Sequence, residues 1–282
     1  MQTLTAYLQT SLKRLGIHER LKASFLYELY LNIADSRRIE SRKKEVNFYR
    51  GLLDGFRRGD VIFDIGANVG DKTGVFLRLG AKVLAVEPDA TCQGVLREKY
   101  LRFRLTPRPV VIIGKAVSDS NTTRTMLIDG PGSALNTLSS KWVTTLTADK
   151  PRFEYLRSTL DFTKTKQIET VTLDSLILIH GLPFFIKIDV EGHEPSVLQG
   201  LHRPVRYLSF EVNLPEFRPE GLECIELLSR LAADGMYNYA TNCQNGLLLE
   251  RWVEAQDMSR LLKQCPERSV EVFWKTPQCA RR

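Results

Sequence analysis

Three stretches of this 282-residue chain place chemically active residue types where packing alone would call for apolar ones. In the first, the apolar run Val61–Ile65 carries Asp64 and leads directly into Gly66-Ala67-Asn68-Val69-Gly70. Glycines after a strand let a ligand approach the backbone, and the free amides of a following helix face an anionic group. In the second, Val86-Glu87-Pro88-Asp89 closes another apolar run. Glu87 follows Asp64 by 23 residues, close to the roughly 20-residue offset at which an acid reaches a ribose in dinucleotide-type folds. The third is Lys187-Ile188-Asp189-Val190-Glu191-Gly192-His193, followed by Glu211 and Asn213 at the end of a later apolar run. A lysine and several acids on apolar strands are costly unless they are paired or used.

Glycine spacing separates the cofactors that such a loop can take. A dinucleotide fingerprint requires glycine at 66, 68 and 71, whereas this chain has Gly66, Asn68 and Asp71. A carboxylate at Asp71 repels a pyrophosphate, so NAD is disfavoured. S-adenosylmethionine carries no phosphate and fits the same residues better. Asp64 is placed to receive its ammonium, and the Gly66-Ala67-Asn68-Val69-Gly70 backbone to accommodate its carboxylate. Glu87, with Pro88 beside it, can accept from both ribose hydroxyls. The third strand ends at Gly114-Lys115-Ala116-Val117-Ser118-Asp119, where Ala116 and Val117 are expected beside the adenine. Asp119 is either a partner for the exocyclic amine or the opening of a turn with Ser120 and Asn121, and both readings stay open.

Methyl transfer is an in-line displacement at carbon, so the protein supplies alignment and desolvation. A hydroxyl acceptor must also lose a proton to a base, or be acidified by a metal. Asp189 and Glu191 are the leading base or orienting residues, with Lys187 as their ion-pair partner and Glu211 on the neighbouring strand. Magnesium or manganese on Asp189, Glu211 and Asn213 is the metal alternative, since oxygen donors suit those ions. His193 opens a helix, and a solvent-facing or capping role stands level with catalysis.

The elements that must position these residues follow from periodicity. Residues 1–58 read as a helical arm, with apolar side chains recurring at helical spacing and Gly59 as a stop. From 59 to 282, apolar runs alternate with helical stretches, which predicts a doubly wound α/β domain with a mostly parallel sheet. Tyr237–Thr241 and Val270–Trp274 are expected as a terminal antiparallel pair. The polar excursion at 129–169 breaks the rhythm and reads as a lid. The chain carries 40 Lys/Arg against 33 Asp/Glu, and residues 1–60 hold twelve of the former against seven of the latter. That basic arm, with Arg37, Arg38, Arg42, Lys43 and Lys44, reads first as a solvated helix face, and nucleic acid is not the expected partner. Five scattered cysteines without a C-x-x-C pair predict free thiols. With no secretory-type leader and no apolar stretch long enough to span a bilayer, a cytoplasmic location is expected.

The three motifs together, Asp64–Gly70, Val86–Asp89 and Lys187–Glu194, resemble the FkbM family of methyltransferases. Phe48-Tyr49-Arg50 and Thr137-Leu138-Ser139 with Trp142 resemble a bacterial subgroup. The resemblance implies a class I fold, a Rossmann-like seven-stranded sheet, with S-adenosylmethionine as donor. It also implies O-methylation of a hydroxyl on a sugar, glycan or other small metabolite. Residues 1–40 lie outside it, and their helices are the candidate surface for a homo-oligomer. An RNA or protein methyltransferase and a non-catalytic S-adenosylmethionine binder are the competing readings. The Asn/Asp-Pro-Pro-Tyr motif of N-methyltransferases on base amines is missing, and Asp189-Val190-Glu191-Gly192 stands in its place.

Overall fold

The computed structural model describes residues 36–101, 109–148 and 160–277. Helix α1 (Ser36–Leu52) precedes β1 (Val61–Ile65), α2 (Asp71–Leu79), β2 (Lys82–Val86), α3 (Ala90–Tyr100) and β3 (Val110–Ile113). Then come β4 (Ala116–Val117), β5 (Thr123–Ile128), α4 (Ser140–Thr147), β6 (Lys164–Val171), α5 (Leu173–His180) and β7 (Phe185–Ile188). The chain continues through α6 (Glu194–Gln199), β8 (Tyr207–Asn213), α7 (Arg218–Leu231), β9 (Met236–Ala240), α8 (Ala255–Gln264) and β10 (Ser269–Lys275).

Seven strands form one sheet in the order β3-β2-β1-β7-β8-β10-β9. Pairing is parallel from β3 to β8, and β10 runs antiparallel to both β8 and β9. This is the class I methyltransferase arrangement, and the expected terminal antiparallel pair is present, although α8 rather than a tight turn joins its strands. Central strands are apolar on both faces because helices cover both sides. Phe63, Ile65, Ile186 and Ile188 pack into the larger core cluster. Ile62, Val83, Ala85 and Phe185 face a second cluster under α1 and α2.

The described part of the N-terminal arm is built into that second cluster. Tyr49 is fully buried, its ring 5.1 Å from Phe76 and 5.7 Å from Phe185. Residues 1–35, including the first helical stretches read from the sequence, lie outside the described residues.

The excursion at 129–169 is partly regular structure. Its last segment enters β6, which pairs antiparallel with β5 and parallel with β4 in a separate three-stranded sheet. Lys164–Gln167 are exposed and only Ile168, Thr170 and Val171 are buried. A strand that buries so little of its length has a polar composition, which is why the sequence reads as a loop there. Four cysteines, Cys92, Cys224, Cys243 and Cys265, are free and buried. Cys279 lies outside the described residues. No helix among the described residues is long and apolar enough to cross a membrane.

Candidate active site

Strand connections leave β1 in opposite directions toward β2 and β7, which opens a crevice at the carboxyl ends of these strands. Register pairs Asp64 with Lys187 and Ile65 with Ile188, and the Asp189 amide donates to the Ile65 carbonyl at 3.0 Å. Gly66 therefore lies against Asp189. A Cβ at Gly66 would stand 1.8 Å from the Asp189 carbonyl oxygen, and its φ of +79° also requires glycine. The crevice widens into a cleft of about 170 Å³. Its walls include Gly66, Asn68, Glu87, Pro88, Ala116, Val117, Asp189, Glu191 and His193.

Glu87 is 7% exposed and accepts from the Asn68 amide at 2.8 Å and the Asp89 amide at 2.7 Å. Burial raises its pKa to about 7 despite those two bonds. Asn68 reaches this position with φ of +46°. The neighbouring wall is apolar, from Ala116, Val117, Met126 and Leu138. Asp89 caps α3 through the Thr91 and Cys92 amides, and also takes bonds from Asn136 Nδ2 and the Gly132 amide, each at 3.2 Å. The loop around 130–138 is thereby fastened to the strand end that carries Glu87.

Asp189 ends β7, and the chain then turns sharply. Glu191 has φ of +54°, uncommon for a residue with a side chain. Asn68 and Glu191 are the two non-glycine residues with positive φ among the described residues, and both line the cleft. Backbone strain of this kind gathers at functional sites. The turn is held by Glu194, whose Oε1 accepts from the Val190 amide at 3.1 Å and the Gly192 amide at 3.3 Å. Thr137 Oγ1 donates to the Glu191 carbonyl at 2.9 Å, a second tie between the 130–138 loop and the site. Glu191 enters the cleft through this turn and not by a continuation of the strand.

Beneath the cleft floor, Lys187 Nζ lies 2.7 Å from Asp189 Oδ2 with its side chain 4% exposed. Burial lowers a lysine pKa, but Asp189, Glu271 and Asp64 outweigh it, and Lys187 stays a cation. Burial pushes Asp189 up, but Lys187, the hydrogen bond with Glu211 and the Lys72 charge together hold it below its ordinary value. Glu211 is raised to about 8 by burial and by the Asp189 charge, and hydrogen-bonds to Asp189. Burial and the same two acids raise Glu191. Oxygens of Asp189, Glu191 and Glu211 all lie within 4.8 Å of one another. The cluster thus holds one ionised carboxylate paired with a lysine, a Glu211 carboxyl that keeps its proton near neutral pH, and Glu191, whose pKa is raised.

Several residues named from the sequence sit elsewhere. Asp64 does not line the cleft: it is 1% exposed, accepts from Thr73 Oγ1 at 2.6 Å, and burial raises its pKa. Its side chain projects to the face covered by α1 and α2, opposite to where an ammonium in the cleft would need it. Ala67 and Gly70 also lie outside the lining, Gly70 being the left-handed cap of α2. Asp119 accepts from Ser120 Oγ and Arg124 Nη2, each at 2.6 Å, so the turn reading describes it. Lys187 and Glu211 sit behind the lining rather than in it. Asn213 ends β8, where its carbonyl accepts from the Phe217 amide. His193 is neither solvent-facing nor a side-chain cap: it is 9% exposed, Nε2 lies 3.0 Å from Ser118 Oγ, and burial lowers its pKa to about 4. The sequence reading missed Glu194 and Asn136. The signal for Glu194 was present, a glutamate just after a glycine turn; Asn136 carried none, because its partner Asp89 is 47 residues away.

The sheet order is that of the class I methyltransferase fold. The methyltransferase FkbM domain matches residues 64–237, and the chain belongs to that family. Comparison with curated protein sequences finds no match. Among solved structures the chain is similar to precorrin-6y C5,15-methyltransferase from Geobacter metallireducens GS-15, at 10% identity and TM-score 0.41 over 84% of this chain and 87% of that one. It is also similar to a putative RNA methyltransferase from Pyrococcus horikoshii, at 14% identity and TM-score 0.41 over 84% and 83%. A third is the plantazolicin methyltransferase BpumL in complex with a monoazolic desmethylPZN analog and SAH, at 10% identity and TM-score 0.40 over 96% and 94%. None of these likenesses is close enough to bear on the acceptor.

Proposed function

We propose that the chain moves the methyl group of S-adenosylmethionine to a hydroxyl of a sugar, glycan or other small metabolite. One observation carries this reading: a buried glutamate suited to a ribose diol and an acid pair suited to a hydroxyl proton share the walls of one cleft. In this reading Glu87 accepts from the ribose hydroxyls with the lone pairs its two amide bonds leave free. The Gly66–Asn68 backbone borders the amino-acid tail, and the apolar wall of Ala116, Val117 and Met126 receives the adenine. Asp189 and Glu191 face the acceptor. Glu191, with the raised pKa, is the stronger base once ionised, and Asp189 orients the hydroxyl. Lys187 and Glu211 are positioning residues that set the charge of Asp189 from behind.

Titration calorimetry tests the donor: S-adenosylmethionine and its demethylated product should bind, with NAD and ATP silent. Incubation with labelled methyl donor and fractionated cell extract then identifies the acceptor pool. Label recovered in RNA or protein, with salt-dependent retention on nucleic acid, would replace the small-molecule reading.

A metal-assisted form of the same reaction rests on the three convergent carboxylates. Their oxygen donors fit magnesium or manganese, and Glu191 joins Asp189 and Glu211 in the converging set. Such an ion would acidify the acceptor hydroxyl when bound. Activity lost on chelation and restored by either ion supports it; activity indifferent to chelator leaves the carboxylates as the base.

A further inference from the structure

The end of the sheet opposite the cleft carries an exposed aliphatic ridge set among cations. Leu178 is 80% exposed, Ile179 70% and Leu182 58%, the highest values for large hydrophobic side chains among the described residues. They lie within a five-residue span where α5 ends and Gly181 turns the chain. The Phe184 amide then donates to the Val61 carbonyl at 2.7 Å, so the ridge stands beside the start of β1. Just before β1 lie Arg57 and Arg58, both exposed, and exposed Lys82 opens β2 in register with Val61. The Arg206 guanidinium lies 5.0 Å from the Phe184 ring centre, and Lys275 pairs with Tyr207 at the same end. Asp54 and Asp60 flank the arginines, and Asp60 accepts from the Arg57 amide.

We propose that this end docks on an anionic lipid surface. Exposed aliphatic side chains gain by leaving water for the acyl boundary, and neighbouring cations gain from anionic headgroups. The same composition disfavours other occupants. A second copy meeting this face across a two-fold axis would set cations against cations. Single-stranded nucleic acid binds through stacking aromatic rings, which the ridge lacks. Docking here holds the cleft, at the carboxyl ends of the strands, on the side away from the bilayer. The inference stands apart from the identity of the methyl acceptor.

Sedimentation of the full chain with vesicles tests it. The protein should pellet with phosphatidylcholine–phosphatidylglycerol vesicles, stay in solution with phosphatidylcholine alone, and be released by added salt. Replacing the ridge (Leu178→Ser, Ile179→Ser and Leu182→Ser) or the cations (Arg57→Glu, Arg58→Glu and Lys82→Glu) should each lower the vesicle partition by roughly tenfold or more. The ridge side chains are exposed, so an unchanged thermal melt for the serine variant shows that the fold is intact. No pelleting of the unmodified chain overturns the proposal, as does binding that survives both sets of substitutions. Light scattering gives a third overturning result: a dimer that the serine variant dissociates would make the ridge a contact between copies.

Discussion

A buried carboxyl that already holds two backbone amides accepts from both hydroxyls of a diol only when it is ionised. Glu87 sits at about 7 because burial opposes its charge, so binding of a ribose to the carboxylate must release a proton over the range where Glu87 is protonated. Affinity for S-adenosylhomocysteine should therefore strengthen as pH rises through about 7 and then level. Glu87→Gln should flatten that dependence, and Glu87→Ala should weaken binding by roughly 1.5–3 kcal/mol, the scale of bonds to charged groups; calorimetry at several pH values checks both. Asp189 and Glu191 answer to a different readout. Asp189→Asn or Glu191→Gln should keep donor affinity while turnover falls by roughly 10²–10⁴-fold, the contribution of a general base. Near-full turnover in both variants would move the base away from this strand end. Lys187 is the cation paired with Asp189, and its charge, together with that of Lys72, also acts on Glu271 and Asp64. Lys187→Met should cost about 3–5 kcal/mol in denaturant unfolding, because it leaves buried charge uncompensated.

Among elements, the loop at 130–138 is the one whose role the fold reshapes. It is tied to the donor side by Asn136 and Asp89, and to the acceptor side by Thr137 and the Glu191 carbonyl. Asn136 also accepts from the Asp129 amide at 2.9 Å and donates to the Gly130 carbonyl at 2.9 Å, so one side chain organises the whole turn. Asn136→Ala should loosen the wall: limited proteolysis near Asp129 should quicken, and donor binding should weaken by roughly 1–2 kcal/mol through lost hydrogen bonds. We propose that this loop acts as the lid over donor and acceptor, with its ends already anchored. Protection from proteolysis by donor and acceptor together would support that role. Cleavage indifferent to both ligands would reduce the loop to a fixed wall.

At the scale of the whole molecule, the family match begins at residue 64 but the folding unit begins earlier. Tyr49 on α1 packs against Phe76, Phe185 and Phe273, all at 0–1% exposure. A chain trimmed to 59–282 should lose several kcal/mol and melt far below one trimmed to 36–282, since burying such rings contributes about 3–5 kcal/mol each. Equal melting temperatures would show α1 to be a dispensable attachment. Stability should also follow pH through the buried glutamates. Glu87, Glu194 and Glu211 have folded pKa values of about 7, 7 and 8 against an ordinary 4.5. A raised pKa means that the folded state binds the extra protons, so this stability is present at low pH and is lost as pH rises toward 8. His193 works in the opposite sense, costing stability as pH falls from 6.5 toward 4. Above 6.5 only the glutamate effect remains, and the melting temperature of the free protein should decline from there to about pH 8. Glu211→Gln should make that decline shallower.

How much of this was legible beforehand depends on the distance over which each feature is decided. The strands β1, β2, β7 and β8, the Gly66 turn and the acids Glu87, Asp189 and Glu191 are local: apolar runs end at glycines and acids, and period and turn chemistry act within about ten residues. Those signals fixed the parallel α/β class and the motifs of the family. What lay across the chain had no local signature. Asp64 alternates along its strand like a ligand-facing residue, but which sheet face meets the cleft was decided by α1 and α2 covering one side. Lys187 and Glu211 are as polar as Asp189, yet Lys187, two positions earlier in the chain, and Glu211, within the neighbouring strand β8, lie behind the wall. The polar composition of β6 concealed a strand, because a small sheet that buries little of its length needs few apolar residues. Protonation was beyond the sequence altogether, since the pKa of Glu87, His193 and Glu211 is set by burial and by charges brought close only on folding.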